Sequence, residues 1–319
     1  MSKKISVIIP CYNQTKLLER NFQYLSKQTL KNFDIVILDD HSTEDYQEVI
    51  SKFPDLDITY VRNEKNLGAI ANIFNSIFYK TASPYKISLH EDDILHPQYL
   101  EKAVEILEKN NKIAFVVTLA EWFKDVEELE EKFKKAKDLT SKMSVVNKAD
   151  FIREILDGKH IMLGSVVYRN SALNKKPDLG KYDVLCDRPF LASLIENNLN
   201  ASLLEDKGMF VRDHGEDDHR FDKVTEENCF NLMSFYKDNL PHPISTCDYK
   251  KLLTFSTNNL INAYSGLRNK KMKLNEFIKA GKMLDLINLK YINKIGVVGT
   301  IRLLLGEKIT SKLIKLFKK

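Results

Sequence analysis

The sequence predicts an α/β protein: a mainly parallel central sheet flanked by helices, followed by a helical C-terminal extension. Three observations carry this expectation. Short β-branched runs alternate with helically spaced apolar stripes over the first 120 residues. Several of those runs stop at compact polar clusters, as strands do when they leave a sheet at a functional rim. Beyond Thr225 the chain becomes rich in Leu, Asn and Lys, with few strand signals. Strict strand–helix alternation favours parallel pairing with helices on both faces.

In chain order, Ile5 to Ile9 reads as a buried strand stopped by Pro10, and Leu18, Phe22 and Leu25 follow at helical spacing. Phe33 to Leu38 is a second strand, ended by Asp39-Asp40. Ser42 or Thr43 then offers a helix cap ahead of the stripe Tyr46, Val49, Ile50 and Phe53. Ile58 to Val61 is a third strand, followed by the stripe Ile70, Ile73, Phe74 and Ile77. Tyr85 to Leu89 is a fourth, with Leu100, Ala103, Val104 and Leu107 on the next helix and Ile113 to Val117 after it. Residues 121–150 are dense in Glu and Lys and read as a solvated helix face or mobile insertion. Strand-like character returns around Ile161 to Tyr168 and Leu199 to Val211. The expected division is a catalytic domain over 1–224 and a helical region over 225–319.

Composition narrows the function. The chain has 319 residues, 43% hydrophobic and 29% charged, which excludes disorder as its main state. Cys11, Cys186, Cys229 and Cys247 form no CxxC pair, which argues against a zinc site or disulfide scaffold and fits a reducing cytosol. Met1-Ser2-Lys3-Lys4 leads into an apolar stretch too short for a signal peptide, and no uncharged run approaches a spanning helix. The net charge of +5 is unevenly placed. Residues 288–319 hold eight basic residues against Glu307 alone, so this tail carries +7 and the rest of the chain −2. A nucleic-acid partner is therefore not expected.

Three polar clusters stand at strand ends: Pro10-Cys11-Tyr12-Asn13, Asp39-Asp40-His41-Ser42 and Glu91-Asp92-Asp93. Three adjacent acids raise one another's pKa in a crevice, and a divalent cation with oxygen ligands relieves that while bridging to substrate phosphates.

The runs Ser6 to Asn13, Gln28-Thr29 and Asp34 to Ser42 resemble the start of the family 2 inverting glycosyltransferases with a GT-A fold. The similarity continues through Arg62 to Gly68, Ala71-Asn72 and Glu91-Asp92-Asp93, where that family keeps its DxD-type metal motif. It spans about residues 4 to 110, becomes fainter from 160 to 220, and is not visible after 225. The resemblance implies that Pro10, Tyr12 and Asn13 line the nucleotide-sugar pocket, with the Tyr12 ring against the base. It implies that Asp39 accepts a hydrogen bond from the base, that Asp40 lies near the ribose, and that Asn66 and Gly68 shape the pocket. Asp93 would coordinate Mn²⁺ or Mg²⁺ on the diphosphate, with Asp92 on ribose or metal and Glu91 at the first position of the motif. An inverting transfer needs a base for the acceptor hydroxyl. The resemblance implies a carboxylate preceding a late helix, which here is Asp187, with Asp183 as the second choice; Asp187 also reads as the N-cap of the helix holding Leu191 and Leu194. In the cluster Arg212 to Arg220, Arg212 would meet phosphate and His214 would complete the metal shell.

The expected activity is metal-dependent transfer from a nucleoside diphosphate sugar, UDP-linked, to a glycan or lipid-linked acceptor of a surface polysaccharide. Two rivals remain at this point: a nucleotide-sugar-binding scaffold that lost the chemistry, and a nucleotidyltransferase, which would show a Gly-rich basic loop after the first strand. In the tail, Val297, Val298, Ile301, Leu304, Leu305, Ile309, Leu313 and Leu316 fall mainly opposite Lys294, Arg302, Lys308, Lys315 and Lys318. Such a helix lies on an anionic membrane, packs on its own domain, or joins a homo-oligomer. The corresponding location is the cytoplasm, at the cytoplasmic membrane face if the tail binds lipid.

Overall fold

A computed structural model of the chain describes residues 3–140, 142–196, 198–214, 226–252 and 255. In order, the described elements are β1 (Ile5–Cys11), α1 (Thr15–Leu25), β2 (Phe33–Asp39), α2 (Tyr46–Ser51), β3 (Ile58–Arg62), α3 (Ala69–Phe78), β4 (Tyr85–Ser88) and β5 (Ile94–Leu95). They continue with α4 (Tyr99–Lys109), β6 (Ile113–Phe123), α5 (Val126–Lys135), β7 (Met143–Val146), α6 (Lys148–Leu156) and β8 (Val167–Arg169). Last come α7 (Leu179–Tyr182), α8 (Asp187–Leu194), β9 (Asn200–Arg212) and α9 (Glu226–Asp238).

The described strands form one sheet in the order β3-β2-β1-β4-β8-β6-β9-β5, with β7 on β9. From β3 to β4 every pairing is parallel, as the alternation predicts. The far half is mixed: β8 runs antiparallel to both β4 and β6, while β6 and β9 are parallel. All seven residues of β1 are buried, because both faces of a central parallel strand are covered. Its side chains alternate between two cores. Val7 and Ile9 join Leu18, Phe22, Ile35 and Ile37 on one face, and Ile8 joins Val36 and Leu38 on the other.

One stretch differs from the sequence expectation. β6 continues past Val117 to Phe123, because Leu119 to Phe123 pair with Lys207 to Arg212 of β9. Within the charge-dense stretch α5 is a helix with a solvated face, the first of the two readings the sequence offers. Asp125 caps it by accepting from the Glu128 N–H at 2.8 Å, and Leu129 buries with Tyr24, Phe123 and Phe210 while the Glu and Lys side chains stay outside.

The described residues divide into two compact units: 3–151 with Lys159–Lys176 and 190–214, and Ile152–Gly158 with Pro177–Pro189 and 226–252. Within the second, Arg153 makes a two-pronged pair with Asp248 at 2.9 Å, and the Asn228 and Asn231 amides donate to the Lys181 carbonyl at 3.2 and 3.0 Å. After residue 225, α9 is described from Glu226 to Asp238. The basic tail and its amphipathic stripe lie outside the described residues. No described helix is long and apolar enough to cross a membrane.

One charge sits inside the sheet. Lys86 on β4 is 4% exposed, opposite Ser6 and Tyr168, and its ammonium donates to the Tyr79 carbonyl. Burial lowers its pKa to about 8 from 10.5. The unfolded chain then holds that proton more tightly than the folded one, so the fold loses stability at every pH below about 8 and regains it between 8 and 10.5. Lys86→Met is expected to raise stability at pH 7 by about 2 kcal/mol. Urea midpoints measured from pH 7 to 10.5 should show the gap between variant and wild type closing as the pH rises; a constant gap would remove the buried charge as its cause.

Candidate functional site

The loop after β1 is built by side chains from elsewhere in the first unit. Four successive backbone N–H groups donate to them. Tyr12 reaches Glu91 Oε1 at 3.2 Å, Asn13 reaches Ser42 Oγ at 3.0 Å, Gln14 reaches the Tyr46 hydroxyl at 3.1 Å, and Thr15 reaches Glu44 Oε2 at 2.9 Å. Asn13 takes a left-handed conformation (φ 52°), which amide side chains tolerate better than most. Its Oδ1 accepts from the N–H groups of Thr43 and Glu44 at 2.7 and 3.3 Å. Pro10 lies buried in the strand, while Tyr12 is 46% exposed. A helix N-terminus ordinarily attracts phosphate through free N–H groups. At α1 those of Gln14 and Thr15 are already taken.

Asp39 and Asp40 end β2 and are almost fully buried. Asp39 accepts from the Ser42 N–H at 2.9 Å and the Tyr60 hydroxyl at 2.6 Å, with Arg62 at 3.6 Å. Asp40 holds the loop before α3: Asn63 Nδ2 at 2.8 Å, and the N–H groups of Leu67 and Gly68 at 2.9 Å each. Asn66 is exposed and its Oδ1 also accepts from Gly68 N–H at 2.9 Å. Gly68 has φ 87° and ψ 155°, a conformation that a side chain would strain. The buried aspartates thus shape the wall on which Asn66 and Gly68 sit.

The acidic cluster occupies the turn between β4 and β5. Asn21 of α1 anchors it, its Nδ2 donating to the carbonyls of His90 and Asp93 at 3.2 and 2.8 Å. β5 pairs with β9 (Ile94 with Phe210, Leu95 with Met209), and this brings the turn beside the end of β9. There the Arg212 N–H donates to Asp93 Oδ1 at 3.3 Å, and His214 Nε2 stands 2.8 Å from Asp92 Oδ2. His90 Nδ1 is 3.5 Å from Asp93 Oδ2. His90, Asp92 and Asp93 each offer one ligand atom, all within 4.8 Å of one another. Burial, with help from the Asp92 charge, holds the Asp93 carboxyl above its ordinary range. Burial pushes Asp92 the same way, but the His214 hydrogen bond and the neighbouring imidazoles outweigh it and leave Asp92 low. Two carboxylates and an imidazole in such a turn suit a divalent cation, whose charge would relieve the burial of Asp93.

Glu91, expected among the metal ligands, faces the other way. It is 9% exposed, with Oε1 on the Tyr12 N–H and Oε2 accepting from the Tyr46 hydroxyl at 3.3 Å. Sequence reasoning missed His90, although it adjoins the acids, and saw Tyr46 only as part of an apolar stripe. It also missed Gly164, where a Cβ would stand 3.3 Å from Asp93 Oδ2 and 3.1 Å from Met209 Cε. No side chain fits there without moving the carboxylate or the methionine.

Asp187 belongs to the second unit, as does Asp183. It opens α8 with helical dihedrals (φ −55°, ψ −50°) rather than standing before it as an N-cap. Burial raises its carboxyl pKa, against the pull of Arg188 and of nearby backbone N–H groups. Asp183 has φ 48° and ψ −132°, an uncommon conformation for a residue with a side chain. Residues 215–220 of the Arg212–Arg220 cluster lie outside the described residues.

Comparison with known proteins agrees with this architecture. An uncharacterized glycosyltransferase of Haemophilus influenzae is 31% identical over 112 residues, 35% of this chain and 37% of the relative. The poly(ribitol-phosphate) beta-N-acetylglucosaminyltransferase TarP of Staphylococcus aureus is 31% identical over 113 residues, 34% of each protein. The matches thus cover about a third of the length of these relatives. Among solved structures, S. aureus TarS 1–349 in complex with UDP superposes with a TM-score of 0.60 at 17% identity, over 90% of this chain and 82% of that one. The mannosyltransferase PcManGT from Pyrobaculum calidifontis, in complex with GDP-Man and Mn²⁺, gives 0.51 at 12% identity, over 100% and 88%. At such identities the superpositions establish a shared GT-A fold. The sequence profile of Glycosyl transferase family 2 matches residues 6–175, more than half of the chain and every element from β1 to the 3₁₀ turn after β8, and the chain belongs to that family.

Proposed function

We propose that this protein is a metal-dependent inverting glycosyltransferase. It moves a sugar from a nucleoside diphosphate sugar, UDP-linked, to a glycan or lipid-linked acceptor in surface polysaccharide synthesis. The observation that carries the reading is the convergence of His90, Asp92 and Asp93 with Arg212 and His214, in the unit that also presents Tyr12 at the loop before α1. The relatives support it by their names: TarP acts on poly(ribitol-phosphate), TarS has been solved with UDP and with UDP-GlcNAc, and PcManGT with GDP-Man and Mn²⁺.

In this reading His90, Asp92 and Asp93 hold Mn²⁺ or Mg²⁺, with His214 orienting Asp92. The cation supplies neutralising charge for the leaving diphosphate. Tyr12 offers its ring to the base, Asn13, Asn66 and Gly68 define the pocket edge, and Asp39 and Asp40 hold that edge in place. Arg212 adds positive charge near the phosphates. Asp187 accepts the acceptor hydroxyl's proton as the new glycosidic bond forms and the bond to the diphosphate breaks. The basic tail keeps the enzyme at the cytoplasmic membrane face, near a lipid-linked acceptor.

Thermal shift with UDP-GlcNAc, UDP-glucose and GDP-mannose, each with and without Mn²⁺, tests the donor and the metal together. One donor should raise the melting temperature more with Mn²⁺ present, and release of free UDP or GDP from it should follow. No shift with any donor would sink the reading. A shift without nucleotide release, even with a glycan acceptor fraction added, would favour the nucleotide-sugar-binding scaffold.

A further inference from the structure

We infer that Glu91 is a positioning residue: it holds the loop that presents Tyr12, and so sets nucleotide affinity without contacting nucleotide or metal. This rests on the nucleotide reading of the site given above. Glu91 sits in the acidic turn, yet its carboxylate is outside the group of converging ligand atoms, and its oxygens accept from the loop after β1 and from Tyr46 at the start of α2. One oxygen takes the Tyr12 N–H directly. The other takes the Tyr46 hydroxyl, which in turn accepts from the Gln14 N–H. Glu91 and Tyr46 therefore bracket Asn13, the loop's left-handed residue, from both sides.

Both members of the bracket are rigid. Tyr46 is fully buried, its ring in the core beneath β1 and α1, and burial raises its phenol pKa, so it remains a proton donor to Glu91. Glu91 is 9% exposed and its backbone lies in the turn that Asn21 anchors at residues 90 and 93. Tyr12 is half exposed. The backbone at residue 12 sets the direction in which its side chain leaves the chain, and the bracket holds that backbone. A buried carboxylate leaves two N–H or O–H donors without a partner when it is removed, so the loop would shift to find water.

The test separates base binding from metal binding. In the full-length chain, Glu91→Gln, Tyr46→Phe and the double variant are titrated with uridine and guanosine, which lack phosphate, by NMR line broadening. Mn²⁺ is titrated separately by the EPR signal of the free ion. The nucleoside that binds wild type should bind each single variant about tenfold more weakly, a loss of about 1.4 kcal/mol. The double variant should be no worse than the weaker single one, because both act through one bracket. Mn²⁺ affinity should stay within about twofold, since the metal ligands are untouched. Tyr46→Phe keeps the ring in the core, so the comparison survives if Glu91→Gln folds poorly. A tenfold loss of Mn²⁺ affinity in Glu91→Gln with nucleoside binding intact would make Glu91 a metal ligand and overturn the inference. Wild type that binds UDP or GDP but neither nucleoside overturns the Glu91 assignment alone; wild type that binds none of the four overturns the site reading as well.

Discussion

Asp93→Asn is expected to abolish metal-dependent nucleotide binding while making the metal-free protein more stable. The asparagine keeps the shape of the side chain and an oxygen for the Arg212 N–H, but it removes the charge. If the cation supplies about 4 kcal/mol of charge stabilisation to the leaving diphosphate, sugar transfer should fall about a thousandfold. Mn²⁺ should then no longer improve the affinity for UDP. The stability gain follows from the raised pKa. An acid whose folded pKa lies above its unfolded value costs stability at neutral pH, and that cost disappears as the pH falls and the group takes up its proton. The substitution removes the cost at every pH, so chemical denaturation at pH 7 without metal should show the variant above wild type. A variant that is less active and less stable together would point to structural damage. Unchanged UDP affinity in the presence of Mn²⁺ would take Asp93 out of the metal site.

Asp187→Asn should lower kcat by about 10² to 10⁴ and leave the affinities for UDP and Mn²⁺ as they are, because a general base acts only on the acceptor's proton. The residues proposed for the donor site lie in the first unit and Asp187 in the second. Burial raises the Asp187 pKa, and in the proposed role the ionised form is the base. Activity should therefore rise with pH through a limb set above the ordinary carboxylate range, and Asp187→Asn should erase that limb. Near-normal turnover in Asp187→Asn, with loss in Asp183→Asn, would move the base to Asp183.

The parallel half of the sheet was legible because each of its strands is a short apolar run bounded by polar residues, and each following helix carries a stripe. Ile5 to Ile9 and Phe33 to Leu38 declare themselves in this way. The mixed half was not. β5 is two residues long, and its antiparallel partner lies more than a hundred residues away on β9, so no local pattern could reveal the pairing. That pairing places Arg212 and His214 at the acidic turn. The clusters at residues 10–13, 39–42 and 91–93 were visible as polar punctuation after strands, but the task of each residue within them was not. Asp39, Asp40 and Glu91 look alike in sequence to acids that meet a ligand; their burial and partners show that they hold loops.

By itself the sequence determined the alternating α/β order, the strand ends at which polar residues gather, and the separation of a basic tail from a mildly acidic body. These depend on periodicity and composition, which are local. The tertiary structure decided which acids converge on one point, that His90 joins them, and that Asp187 falls in a different compact unit from the acidic turn. Those outcomes depend on long-range strand register and on which side chains are withdrawn from water, and no window of neighbouring residues contains either.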